Sequence, residues 1–251
     1  YGPPGLAEHI AGLIGGIRWD RIGDRGPRFS VAELHGERLR TYYLRAGRPD
    51  VELMGDESVE AGLLRQEAGF QVRAATLDHG IPVLAFAYEP AMQIKVHKER
   101  LRARGLMPGP WLTLLKARIM TDDMQADIPL PDGTSEKARR LAEELTLTTP
   151  GNRLVYATDF ADTRHNRAKI QALAKGAHTL FCEATFLQQD AAQAQRTGHL
   201  TTHACGEIAS AAGVRYLIPF HFSRRYEKDP WQVYQEIAAA CPQLVMPKRS
   251  S

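Results

Sequence analysis

Five segments decide the fold: RLVYAT (153–158), AKIQALAKG (168–176), HTLFCEAT (178–185), TTHACGEIASAAG (201–213) and RYLIPF (215–220). The first, third and fifth are short runs rich in β-branched and aromatic residues, and so read as strands. The other two space their apolar residues helically and end at Gly176 and Gly213, the usual helix stop. Strand and helix therefore alternate. Such alternation predicts parallel strands joined by crossover helices, with functional groups gathered at the carboxyl ends of the strands. Asp159, Glu183 and His221 all fall at such ends, and His199 stands in the loop that leads into the second helix. A last helix is expected after them, with Asp229 as cap, Pro230 at its first position and Gln232 closing a capping box.

Working outward from this core, PPGLAEHIAGLIGGI near the start reads as a short amphipathic helix closed by Gly15 and Gly16. Residues 17 to 89 hold the runs FSVAEL, LRTYYL, FQVRAATL and IPVLAFAYE, which predict several strands of one sheet, with His79 in the turn between the last two. The composition then shifts. Between Ile94 and Arg118 there are seven Lys or Arg against the single Glu99, interrupted by MPGP, and residues 91–118 are expected to form a protruding basic arm. Residues 122 to 152 are turn-rich, with a short helix SEKARRLAEEL that Ser135 is expected to cap.

The whole chain of 251 residues, 43% hydrophobic and 24% charged, is enough for one sizeable domain with a large core. No apolar run approaches the roughly 18 to 20 residues needed to cross a bilayer, and no signal peptide is recognisable at the start, so neither a membrane span nor secretion is expected. Cys182, Cys205 and Cys241 are too few for a disulfide framework and lack zinc-ribbon spacing, which points to a reducing cytoplasm. A net charge of +3 says little by itself about a nucleic-acid partner. The clustering of that charge says more.

The residue types at the strand ends suit metal-assisted hydrolysis. A carboxylate placed like Asp159 can bridge two cations, and an imidazole placed like His221 suits zinc at neutral pH. Asp162 is a rival for the bridging place, and either aspartate could instead cap the next helix. Glu183 followed by His199 offers a carboxylate that orients a histidine, the usual way to prepare a general acid for a departing alkoxide. Each residue alone is more often structural.

Taken together and in order, LDHGIPVLAFAYE, GLMPGPWLTLLK, LVYATDFADTR, LAKGAHTLFCEATF, GHLTTHACGEIASAAGV and HFSRRY resemble the metallo-β-lactamase superfamily, and within it the ribonuclease Z group of tRNA 3′-processing endonucleases. The resemblance implies an α/β fold (α+β in some schemes), a single domain over 1–251 of αββα-sandwich type, with 91–118 as an inserted arm and candidate tRNA exosite. It implies His79, Asp159 and His221 as metal ligands, His199 with Glu183 as the catalytic pair, and zinc, two ions in the full-length protein, with manganese or iron as substitutes. Asp159 is preferred to Asp162 because it abuts the strand, although the family's GDT motif appears here as TDFADT.

The family's HxHxDH motif, which precedes the counterpart of YGPPGL, does not occur in the 251 residues. The fold is therefore expected to be N-terminally incomplete and this chain alone metal-deficient and inactive, the full-length protein active. The expected reaction is attack of metal-activated water on a phosphodiester, with precursor tRNA or another RNA as partner, and a homodimer is implied by resemblance. Lys95, Lys98, Arg100, Arg102, Arg104, Lys116 and Arg118 would follow the RNA backbone, and Arg224 and Arg225 would grip a phosphate. Two other readings keep the fold: hydrolysis of a small ester or phosphodiester, or a non-catalytic RNA-binding module.

Overall fold

The computed structural model describes residues 1–19, 21 and 25–247. It divides into two compact units, Tyr1–Glu89 together with Asn152–Ser251, and Pro90–Gly151.

The first unit is built on a six-stranded sheet in the order β13-β12-β11-β6-β5-β4. Its members are β4 (Leu63–Glu67), β5 (Phe70–Asp78), β6 (Pro82–Pro90), β11 (Leu154–Ala157), β12 (Thr179–Glu183) and β13 (Tyr216–Phe220). As the alternation requires, β11, β12 and β13 run parallel, and β6 pairs antiparallel with β11. The crossover helices are α5 (Arg164–Ala174) and α7 (Thr202–Ala212), followed by α8 (Trp231–Ala240).

Period-two alternation sorts the strand side chains onto two faces. Val155, Ala157, Leu180, Cys182 and Leu217 are buried in one cluster with Ile170 of α5, Ile208 of α7 and Ile237 of α8. On the other side of the sheet Leu64, Ala74 and Leu84 meet Leu34 of β1 (Arg28–His35) and Leu39 of β2 (Arg38–Arg45). These two strands form a second sheet with β3 (Arg48–Ser58). The opposite faces of β1 and β2, carrying Val31 and Leu44, are covered by Ala7 and Ile14 of α1 (Leu6–Gly15). Helix, sheet, sheet and helices thus succeed one another in this unit, the αββα arrangement expected. Each aliphatic side chain so buried is worth about 1.5–3 kcal/mol, which explains why the alternation in the sequence fixes the layers.

The second unit has its own core. β7 (Gln93–Val96) pairs antiparallel with β10 (Thr146–Thr149), and between them come α2 (Lys98–Ala103), α3 (Pro110–Met120), the β8 (Asp127–Pro129) and β9 (Ser135–Lys137) hairpin and α4 (Ala138–Leu145). Leu101, Trp111, Leu115, Ile128, Leu141 and Leu145 are buried together. The basic stretch 91–118 is therefore half of a packed unit that extends to Gly151, because its apolar residues need α4 and the hairpin to cover them.

Several local expectations differ from the structure. Ser135 pairs with Pro129 in β9 instead of capping α4, which begins after Lys137 with no side-chain cap. α8 begins at Trp231 with Pro230 in the cap position, and Gln232 donates to the Asp229 carbonyl instead of closing a box. β3, with its charged and exposed residues, shows no apolar alternation and was not expected as a strand; pairing with β2 forms it. No helix among the described residues is long and apolar enough to cross a membrane.

The packing of α7 against α8 relies on a glycine. A Cβ on Gly206 of α7 would lie 2.7 Å from the Ala240 Cβ, a distance that neither rigid helix can absorb without moving. Gly206→Val is expected to destabilise the protein by about 1–3 kcal/mol through overpacking. Denaturant unfolding checks it, with a midpoint at or above wild type contradicting the packing described.

Candidate active site

Three βα junctions and one hairpin turn bring the sequence-selected residues together. Asp159 follows β11, Glu183 ends β12, His199 follows α6 (Ala191–Thr197), and His221 follows β13. His79 lies in the turn after β5, where its N–H bonds to the Ile81 carbonyl.

Glu183 is fully buried, and its carboxylate is saturated with donors. Oε1 accepts from the Phe160 N–H at 2.7 Å, while Oε2 accepts from the Leu200 N–H at 3.1 Å and the Thr185 hydroxyl at 2.8 Å. His199 Nδ1 stands 3.0 Å from the same Oε2. A buried carboxylate left unpaired would be very costly, and here the donors come from three separate loops. The charge thus holds those loops in place. Its effect on His199 is direct: the hydrogen bond that the imidazole donates to Glu183 raises the His199 pKa, burial opposes that rise, and the Glu183 and Asp159 charges add to it.

His79 is held in the same manner. Its Nδ1 lies 2.8 Å from the Gly198 carbonyl, which leaves Nε2 free. Gly198 closes α6 in the left-handed region (φ 73°), and a Cβ there would sit 3.0 Å from His79 Nδ1. Only glycine suits both demands. Asp159 and His221 are themselves left-handed, at φ 54° and 61°, strained positions of the kind that persist where neighbouring contacts over-determine them.

Asp159 is the common neighbour. Its Oδ1 is 3.1 Å from His221 Nε2 and 3.9 Å from His199 Nδ1. Ring centroids separate His79 from His199 by 4.7 Å and His199 from His221 by 5.2 Å. Ligand-type atoms of His79, Asp159 and His199 all lie within 4.8 Å of one another. Two imidazoles each fixed through Nδ1 by an oxygen, a carboxylate between them, and a third imidazole beside it make a donor set that suits a borderline divalent cation such as zinc. His221, expected with His79 and Asp159 as a ligand, is the imidazole nearer to Asp159, and His199 adjoins the same carboxylate.

Asp162, the alternative to Asp159, is engaged elsewhere. Arg167 takes both of its oxygens, Nη2 at 2.8 Å and Nε more closely, and reaches Glu207 with Nη1 at 2.9 Å. Neither aspartate caps α5, since Thr163 does so through the Asn166 N–H. Arg225 pairs with Asp190 at 2.9 Å and lies over the Phe186 ring, whereas Arg224 is exposed and has no ion pair among the described residues. In the second unit Arg104 is tied to Glu136 and Glu144, Arg118 to Asp123, and Arg100 to the Glu144 carbonyl. Lys95, Lys98 and Arg102 are exposed, with no ion pair among the described residues, and Lys116 is half-buried.

Two supports carry no bracing role that the sequence foretells. Asn166, buried, exchanges hydrogen bonds with the Asp78 backbone and donates to Ala161, which locks the strand end before His79 to the loop after Asp159. Tyr226 accepts from the Leu187 N–H and donates to Asp190 at 2.5 Å, joining the His221 loop to the loop after Glu183. Nothing in TRHNR distinguishes Asn166 from an ordinary surface polar group, whereas Tyr226 falls in HFSRRY, one of the stretches that carry the resemblance.

Comparisons with known proteins agree with this geometry. A sequence profile described as the beta-lactamase superfamily domain matches residues 128–222. The chain is 28% identical to a protein named ribonuclease Z from Deinococcus radiodurans over 242 residues, covering 96% of the chain and 71% of the relative. It is 34% identical to one from Thermobifida fusca over 192 residues, 75% of the chain and 53% of the relative. It is 30% identical to one from Synechococcus sp. (strain CC9605) over 254 residues, 99% of the chain and 74% of the relative. The chain thus spans between 53% and 74% of the length of these relatives.

A histidine whose folded-state pKa is raised adds stability that is fully present below its ordinary value of 6.5 and is lost as the pH rises through the raised value. Replacing Glu183 removes the main cause of that rise. In the metal-free protein, Glu183→Gln is therefore expected to lower the His199 pKa, measured by NMR titration, and to cost more stability at about pH 6 than at about pH 9. An unmoved His199 titration would contradict the assigned contact.

Proposed function

The chain belongs to the ribonuclease Z family, and from that membership and the geometry around Asp159 we propose that the whole protein is a zinc-dependent endoribonuclease maturing the 3′ end of precursor tRNA. The observation that carries the reading is the convergence of His79, His199 and His221 on one carboxylate, Asp159. His79, Asp159 and His221 are the groups of this chain that would hold zinc. When bound, the metal supplies Lewis acidity at the phosphodiester and favours ionisation of the attacking water.

The protein groups have separable tasks. Glu183 fixes His199 through Nδ1 and keeps it protonated over a wider pH range, so that its other nitrogen can deliver a proton to the alkoxide oxygen as the P–O bond breaks. Arg224, exposed beside this site, is free to contact a substrate phosphate. Arg225 is committed to Asp190 and Phe186 and acts on the site by bracing the loop. In the second unit, Lys95, Lys98 and Arg102 are available to track an RNA backbone, with Lys116 partly so. Arg104 instead stabilises its own unit.

Cleavage of precursor tRNA by the full-length protein tests the reading. Activity is expected to vanish with chelator and return with zinc. His199→Ala is expected to lower cleavage by about 10²-fold or more while RNA binding survives. Lys98→Ala and Arg102→Ala should each reduce the slope of log affinity against log salt by roughly 0.7–0.9. Zinc-loaded protein that leaves precursor tRNA intact would overturn the proposal.

A further inference from the structure

Behind His199, on the side of α6 and α7, lies a second pocket of about 430 Å³. His199 is one wall of it. Ala194, Thr201 and Ala204, all buried, are among the residues that line it. Around the exposed rim stand Gln188, Gln195 and His203.

The charges in this pocket are already spent. Its one guanidinium, Arg167, has Nε and Nη2 on Asp162 and Nη1 on Glu207, so a phosphate entering here would meet two carboxylates and no free guanidinium. The groups left over are two primary amides and an imidazole. The side-chain amide of Gln195 has no hydrogen-bond partner among the described residues, and Gln188 uses only its oxygen, accepting from the Thr201 hydroxyl at 2.8 Å. His203 makes a single contact at 3.4 Å with Glu207 and exposes its ring.

Primary amides that offer a donor and an acceptor side by side, next to an exposed imidazole face, are the groups that read a base edge and stack on a base plane. The volume lies within the range of small-ligand sites and is ample for one flat heterocycle. We propose that this pocket receives the base of the nucleotide next to the scissile phosphate, with Gln188 and Gln195 reading its edge and His203 stacking on its face. The placement beside the phosphate rests on the endoribonuclease reading, because His199 is the wall that the pocket shares with the Asp159 cluster. The second class of contact this supplies is selectivity for the flanking base, separate from the shape and charge recognition of the second unit.

The experiment is an NMR titration of this chain with AMP, GMP, CMP and UMP in turn, with ribose 5-phosphate as the baseless control. Saturable shifts of the Gln188 and Gln195 side-chain amides and the His203 ring are expected. The best and worst bases should differ about fivefold or more in affinity, and Gln195→Ala should weaken the best by about threefold or more. Unmoved amide signals, equal affinity for all four bases, or equal binding of ribose 5-phosphate would each overturn the base site. Precursor tRNA cleavage by the full-length protein separates the two claims: these shifts without cleavage reject the nuclease and keep the base site, and cleavage without these shifts does the reverse.

Discussion

A single buried carboxylate organises this site. Glu183 takes its donors from the loop after β11, from its own strand end and from the loop before α7, so the three segments that carry Asp159, Glu183 and His199 share one negative charge. Charge in a protein interior is tolerated only when fully hydrogen-bonded, and the demand works in both directions. The loops satisfy Glu183, and Glu183 prevents the loops from moving apart. His199 inherits its tautomer, its orientation and its raised proton affinity from this arrangement.

The remaining constraint is backbone strain at the neighbouring positions. Asp159 and His221 occupy the left-handed region without being glycine, a cost of order 1–3 kcal/mol each where nothing compensates. Compensation is visible around both: Asn166 and Ala161 clasp the strand end opposite Asp159, and Tyr226 with Asp190 anchors the loop after His221. The parallel strands bring these loops to one end of the sheet, where α5, α7 and α8 pack on its outer face.

Much of this was legible in the sequence because it depended on period. The alternation of β11, α5, β12, α7 and β13 is written in short apolar runs and glycine stops, and it places Asp159, Glu183 and His221 at strand ends. Elements held by partners instead of by their own pattern were not legible. β3 is polar and exposed, and becomes a strand only by pairing with β2. Ser135, an apt cap by residue type, is drawn into a hairpin by Pro129. The approach of His199 to His79 and Asp159 depends on side-chain direction across three loops, which spacing along a chain does not encode.

The central proposal is that Asp159 gathers His79 and His221 into one cation site directly beside the imidazole of His199. The most direct measurement is a zinc titration of this chain followed by the ring signals of His79, His199 and His221 in NMR. The account predicts that all three sets move together with one apparent affinity and that Asp159→Asn weakens them together. Rings that respond independently, or that respond to zinc equally well without the Asp159 carboxylate, would contradict it.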